Sequence, residues 1–287
     1  YSAFDIEGDP SQPTVKLGGL NMAKVRFEDR QSMLTQLDNL GRLANSQDSP
    51  ILAQDKIGQE AISMLTSGAM QKAMNLEEES PALREQYGNN IYGQRVLLGR
   101  RLIEAGARFV TINQAVQGGL FGDGKTNGTW DNHGWLFDSM MSFASRPAGV
   151  PATSKWHHYR GPGNLPQLDM SLSTLLVDLE QRGLLDTTLV VAMGEFGRTP
   201  KINKTAGRDH YPNAGNVLLA GAGINRGAVI GATDSRGAVP RSRPWRPEDF
   251  AASIYHALGI NPHNTYFPRL PRPTPIADGQ VIDGLFA

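Results

Sequence analysis

One unit recurs along this chain and limits what it can fold into: an amphipathic helix, a glycine stop, and at once a short apolar run. Ile91, Val96, Leu97, Leu98, Leu102 and Ile103 repeat at helical spacing over 90–104, Gly106 ends the helix, and the run 108–112 follows. Leu168, Leu172, Leu175, Leu176 and Leu179 line a second helix over 168–182, which stops at Gly183 before the β-branched run 187–193. A third run, 216–220, closes on Gly221-Ala222-Gly223. The last helix, 247–258, turns Ala251, Ile254, Tyr255 and Leu258 to one side and ends at Gly259. Short apolar runs fit strands covered on both faces. The repetition predicts an α/β fold with 108–112, 188–193 and 216–220 in one mainly parallel sheet and helices on both faces.

Upstream the rhythm is helical. Met33, Leu34, Leu37 and Leu40 share a face over 28–43, and Ile57, Ala61, Met64 and Leu65 do so over 51–65. A short helix over 69–74 and an acidic, exposed turn over 77–81 follow, with Pro81 placed to open the next helix. Residues 1–86 therefore read as a helical lead-in packed on a core of 87–287. Into that core a loop of about 113–166 is inserted, rich in Gly, Asn, Trp, His and Pro.

Composition removes several function classes. Lys+Arg and Asp+Glu both total 28, so the phosphate neutralisation that drives nucleic-acid binding has no basis in the overall charge. The chain has no cysteine, which excludes disulfides, thiolate metal sites and cysteine nucleophiles, and fits an exported protein. No apolar stretch is long enough for a membrane span.

The chemistry-bearing residues cluster after the run 187–193. Gly194-Glu195-Phe196-Gly197 sets a carboxylate at the C-terminal end of that run, where open α/β sheets bind ligands. Gly207-Arg208-Asp209-His210 follows in a loop, and Asp131 and His133 sit in WDNHG on the long insertion. Asp131, His133, Glu195, Asp209 and His210 together make a mixed oxygen and nitrogen set that suits zinc or manganese better than calcium. Arg198 and Arg208, with Lys201 nearby, suit an anionic ester oxygen. Each pattern has a plainer reading. Asp131 and His133 also suit a helix cap before Trp135, the cations suit solvation and pairing, and His157-His158 reads as surface. Gly221-Ala222-Gly223 lacks the third glycine and acidic partner of a dinucleotide fingerprint. No nucleophile stands out; Thr199 carries the hydroxyl nearest the central turn.

The stretches GLLDTTLVVAMGEFGRTPKINKTAGRDHYPNAGNVLLAGAGI, GAVIGATD and PEDFAASIYHALGI, with RQSMLTQLD, YGNNIYGQRVLLGRRLIEAGARFVTIN and WDNHG, resemble a bacterial domain-of-unknown-function family, number fifteen-oh-one. The resemblance spans nearly the whole chain. It implies membership of the alkaline phosphatase and sulfatase superfamily, hence a three-layer α/β/α sandwich with a divalent metal at the strand ends. It also implies an exported protein, periplasmic or cell-surface associated, whose complete form is a sulfatase-like or phosphatase-like hydrolase of small anionic esters. The rival is a non-catalytic binding or assembly subunit keeping the fold. Two departures stand out. Glu195 and Phe196 occupy the place of an Asp-His or Asp-Asn pair, and Phe196 has no ligand atom. The superfamily's nucleophile and first metal-binding Asp lie on earlier strands, so the expected partner is another polypeptide or an N-terminal segment completing the fold.

Overall fold

A computed structural model of the chain describes residues 6–7, 10, 16–17, 68–114, 130, 133, 164–241, 243–263 and 275–287. The helices expected over 28–43 and 51–65, Asp131, and most of the 113–166 insertion lie outside the described residues. The chain divides into two compact units, Tyr1–Ile112 and Asn113–Ala287.

In the first unit β1 (Ile6–Glu7) pairs antiparallel with β2 (Lys16–Leu17). Among the described residues three α-helices follow: α1 (Gly68–Met74), α2 (Pro81–Tyr87) and α3 (Ile91–Glu104). The starts of α2 and α3 are written in the sequence as caps. Ser80 Oγ accepts from the Leu83 N–H at 3.2 Å with Pro81 in the first turn, and Asn90 Oδ1 accepts from Tyr92 and Gly93. Tyr87 and Leu97 are fully buried between α2 and α3. Gly93 lets the two helices approach, since a Cβ there would sit 2.1 Å from the Tyr87 carbonyl oxygen.

The acidic turn at 77–81 is only partly the exposed feature the sequence suggests. Glu79 turns inward, its side chain 11% exposed, and meets Arg100 at 2.7 Å and Arg101. Arg100 also pairs with Glu104, while Arg101 donates to the carbonyls of Ala73 and Lys72. Burial pushes the Glu79 carboxyl up, but hydrogen bonds and charge from Arg100 and Arg101 outweigh it and hold the group below its ordinary value. Two arginines on α3 thus fasten the α1–α2 connection through charge-assisted hydrogen bonds to Glu79 and to backbone carbonyls.

After α3 the chain turns at Gly106, whose φ is +101°. Residues 108–112, expected as a strand, join no ladder among the described residues. Nor is the run covered on both faces as expected: Ile112 and Val110 lie over Gly99 of α3, and Phe109 is 70% exposed.

The first described helix of the second unit is α4 (Asn164–Gln181), which buries Leu175 and Leu179 and stops at Gly183, as its spacing indicates. A 3₁₀ turn at Leu185–Thr187 then delays the strand, so β3 runs over Val190–Met193. β4 (Gly197–Arg198), β5 (His210–Tyr211), β6 (Val217–Ala220) and α5 (Pro247–Ala257) follow. β3 and β6 pair antiparallel, from Val190 opposite Ala220 to Met193 opposite Val217, where parallel pairing was expected. The reason is the connection. No crossover helix separates them, and the chain re-enters from the end at which it left. Such pairs occur within mixed sheets. Gly221, directly after β6, has a packing role: a Cβ there would lie 2.1 Å from the Thr188 carbonyl oxygen.

Helix α5 is rotated from its expected face. Asp249, Ala252 and Ser253 are its buried residues, and Leu258 is 48% exposed. The polar positions are taken inward by the C-terminal segment. Asp249 accepts from the backbone N–H groups of Gln280 (2.9 Å) and Arg246 (3.0 Å), and Ser253 Oγ accepts from that of Ile282. Those two backbone donors, Gln280 first, hold the Asp249 carboxyl below its ordinary value. Among the described residues no helix is long and apolar enough to cross a membrane.

Candidate functional site

β3 ends at Met193, and the chain leaves through Gly194, Glu195 and Phe196 into a two-residue hairpin ladder, Gly197 opposite Tyr211 and Arg198 opposite His210. Residues directly opposite on antiparallel strands project to the same face. Arg198 and His210 therefore share one face of the hairpin, and Tyr211 takes the other. Gly197 is where the ladder touches the chain running back to β6. A Cβ there would be 1.6 Å from the Ala214 carbonyl oxygen.

On the Arg198 face three rings gather. The His210 ring lies 4.6 Å from that of His133, tilted by 47°, and 4.1 Å from that of Phe196, tilted by 41°. The guanidinium carbon of Arg198 sits 5.7 Å from the Phe196 ring centre. Arg198 also donates to the carbonyls of Arg208 (3.1 Å) and Trp130 (3.3 Å), so it fastens the long insertion to the hairpin.

Asn203 is the second fastening. Its Nδ2 donates to the His133 carbonyl (2.9 Å) and to Asp209 Oδ1 (3.0 Å). Its Oδ1 accepts from the backbone N–H groups of Thr205 and Gly207. Arg208 donates to the carbonyls of Thr199 and Pro200, both at 2.6 Å, and makes no ion pair among the described residues. It does not bridge to Asp209, the alternative its sequence neighbour suggests.

The residues singled out from sequence thus separate. His133 and His210 meet, and Asp209 is tied by Asn203 to the backbone of His133. Arg198 and Arg208 brace the same loops. Glu195 is exposed, with no hydrogen bond or ion pair among the described residues, and Phe196 takes the position beside His210. Asp131 lies outside the described residues. No group of three or more His, Asp or Glu side chains converges on one point among the described residues. Sequence reading passed over Asn203 and the packing role of Phe196. Asn203 had a signal, since Asn followed by Thr and Gly within four residues is an Asx-type turn.

A family model described as a protein of unknown function (DUF1501) matches residues 1–286. The chain belongs to that family. No curated protein and no solved structure matches it. In this DUF1501 chain the WDNHG segment and the GRDHYP segment, far apart in sequence, supply the two imidazoles that touch. Their chemistry fits a borderline divalent ion. Both His residues are solvent-exposed, and zinc takes imidazole nitrogen at about 2.0–2.1 Å. Their ring centres lie 4.6 Å apart.

Proposed function

We propose that this DUF1501 chain supports metal-assisted hydrolysis of small sulfuric or phosphoric esters, on a three-layer α/β/α sandwich of the alkaline phosphatase and sulfatase kind. The observation that carries the reading is the His133–His210 contact on the β4–β5 hairpin, braced by Arg198 and Asn203. In this reading His133 and His210 hold the ion, with Asp131, Glu195 or Asp209 as the oxygen ligand. The ion, zinc or manganese, would supply Lewis-acid polarisation of an ester oxygen. Arg208 contributes positive charge that no carboxylate neutralises among the described residues, which favours an anionic substrate. The exported setting of this reading agrees with a cysteine-free chain.

A second reading, a non-catalytic binding or assembly subunit, is favoured by Thr199. Its hydroxyl donates to the Lys201 carbonyl at 3.0 Å and accepts from the Asp209 N–H at 3.1 Å, so its proton is committed to a backbone carbonyl rather than to a base. Met193 and Leu218, each 55% exposed on the β3–β6 pair, also favour a further segment or polypeptide covering these strands. Metal analysis of the purified chain, joined to turnover of 4-nitrophenyl sulfate and 4-nitrophenyl phosphate, separates the readings. Metal with turnover that both fall in His133→Ala and His210→Ala supports hydrolysis. A metal-free chain without turnover supports the subunit.

A further inference from the structure

The other face of the β4–β5 hairpin carries a second feature, unrelated to the histidines. Tyr211 points there and forms one wall of an open groove of about 480 Å³, completed by Thr199, Pro200, Lys201, Arg236 and Ala238. It is a shallow depression, open to solvent over most of its surface. The walls are chemically divided. Tyr211, Pro200 and Ala238 give an apolar surface, whereas Lys201 and Arg236 bring two cations.

The groove is held in shape by bonds that leave those cations uncommitted. Tyr211 Oη donates to the Ala238 carbonyl at 2.8 Å, joining the hairpin to the 234–240 turn. Asp234, the carboxylate of that turn, accepts from the Ala238 N–H at 2.7 Å and closes the turn on itself. Arg236 sits at the turn's tip and forms no ion pair among the described residues, and neither does Lys201. Beside Lys201, Arg208 pins the carbonyls of Thr199 and Pro200, so that rim is fixed too. A concave apolar surface edged by two cations that have no internal partner attracts a ligand of opposite charge with a flat apolar body.

We propose that this groove is a binding site for a small anion carried on an apolar ring. The ring lies against Tyr211, Pro200 and Ala238, and the anionic group is taken by Lys201 and Arg236. The site is separate from the His133–His210 pair and does not depend on a metal there.

The test is calorimetric titration of the full chain with 2-naphthalenesulfonate, 2-naphthoate and 2-naphthalenephosphonate, with neutral 2-naphthalenesulfonamide for comparison and a chelator present throughout. At least one aryl anion is expected to bind at millimolar concentration or better, with the sulfonamide at least about tenfold weaker. Lys201→Ala and Arg236→Ala should each weaken the anion about tenfold, Arg236→Lys should restore most of the affinity, and Lys204→Ala should leave it unchanged. Because both alanine variants alter exposed side chains, thermal melting should match the wild type. Absence of binding by all three anions, equal binding of the sulfonamide, or unchanged affinity in both alanine variants would overturn the site. None of these results touches the metal content on which the hydrolase reading rests.

Discussion

The side-chain amide of Asn203 donates to the backbone carbonyl of His133 at 2.9 Å, so one asparagine ties the long insertion to the turn before β5. Its oxygen meanwhile gathers the N–H groups of Thr205 and Gly207. Asn203→Ala removes all of these together. It should cost about 1–3 kcal/mol locally and speed hydrogen exchange at the Thr205 and Gly207 amides. Unchanged protection of those two amides would show that the turn holds without it.

Among the described glycines, Gly197 is the position least tolerant of a side chain. Gly197→Ala places a Cβ at 1.6 Å from the Ala214 carbonyl oxygen, backbone that has no flexible end to move aside. The β4–β5 ladder should part, lowering stability by about 3 kcal/mol or more in thermal denaturation. Gly68→Ala, where the added Cβ meets nothing within 4 Å, is the control and should be neutral or slightly stabilising. Equal melting temperatures for the two variants would contradict the close approach.

The α5 clip gives a third outcome. Asp249 is 2% exposed, and its carboxylate is the acceptor for two backbone donors, Gln280 and Arg246. Asp249→Ala leaves both N–H groups without it and should cost about 2–4 kcal/mol. Asp249→Asn, which keeps one acceptor oxygen, should cost less. Limited proteolysis at 275–287 reports the loss directly, and wild-type resistance in Asp249→Ala would refute it.

Acid should act on both units through the same sign. Glu79 and Asp249 have folded values held below 4.5 and 3.8, so the unfolded chain binds more protons as pH falls. Their stabilisation is complete above those ordinary values and is lost as pH drops through the lower folded ones. Melting temperature should therefore fall below about pH 4.5, and Glu79→Gln should flatten part of that fall while lowering stability near neutrality. A variant whose acid profile parallels the wild type would remove Glu79 from the explanation.

Local signals in the sequence were read well where the cause is local. The stops at Gly106 and Gly183, the Pro81 helix start and the leucine face of α4 depend on residues within a turn or two of each other. Pairing direction was not legible in the same way. The runs 188–193 and 216–220 are rich in strand-forming residues, but whether they pair parallel or antiparallel is decided by the connection between them. The α5 face was misjudged because Asp249 and Ser253 are polar by type and buried by their bonds to Gln280 and Ile282, contacts about thirty residues away. At the site, the meeting of His133 with His210 was anticipated as part of a larger ligand set. The intrusion of Phe196 beside His210 was not, since an aromatic side chain after Glu195 carries no signal of where it packs.

The central claim is that His133 and His210 together hold a divalent metal, and metal content of the intact protein tests it most directly. Elemental analysis of wild type, His133→Ala, His210→Ala and Glu195→Ala, purified without chelator and checked for fold by circular dichroism, is the measurement. About one zinc or manganese per wild-type chain is expected, with near-complete loss in either histidine variant. Glu195→Ala reports whether that exposed carboxylate completes the set: metal loss there assigns it as a ligand, and retention turns the assignment to Asp131 or Asp209. A wild-type chain free of metal after growth with zinc and manganese, or full metal content in both histidine variants, would contradict the claim.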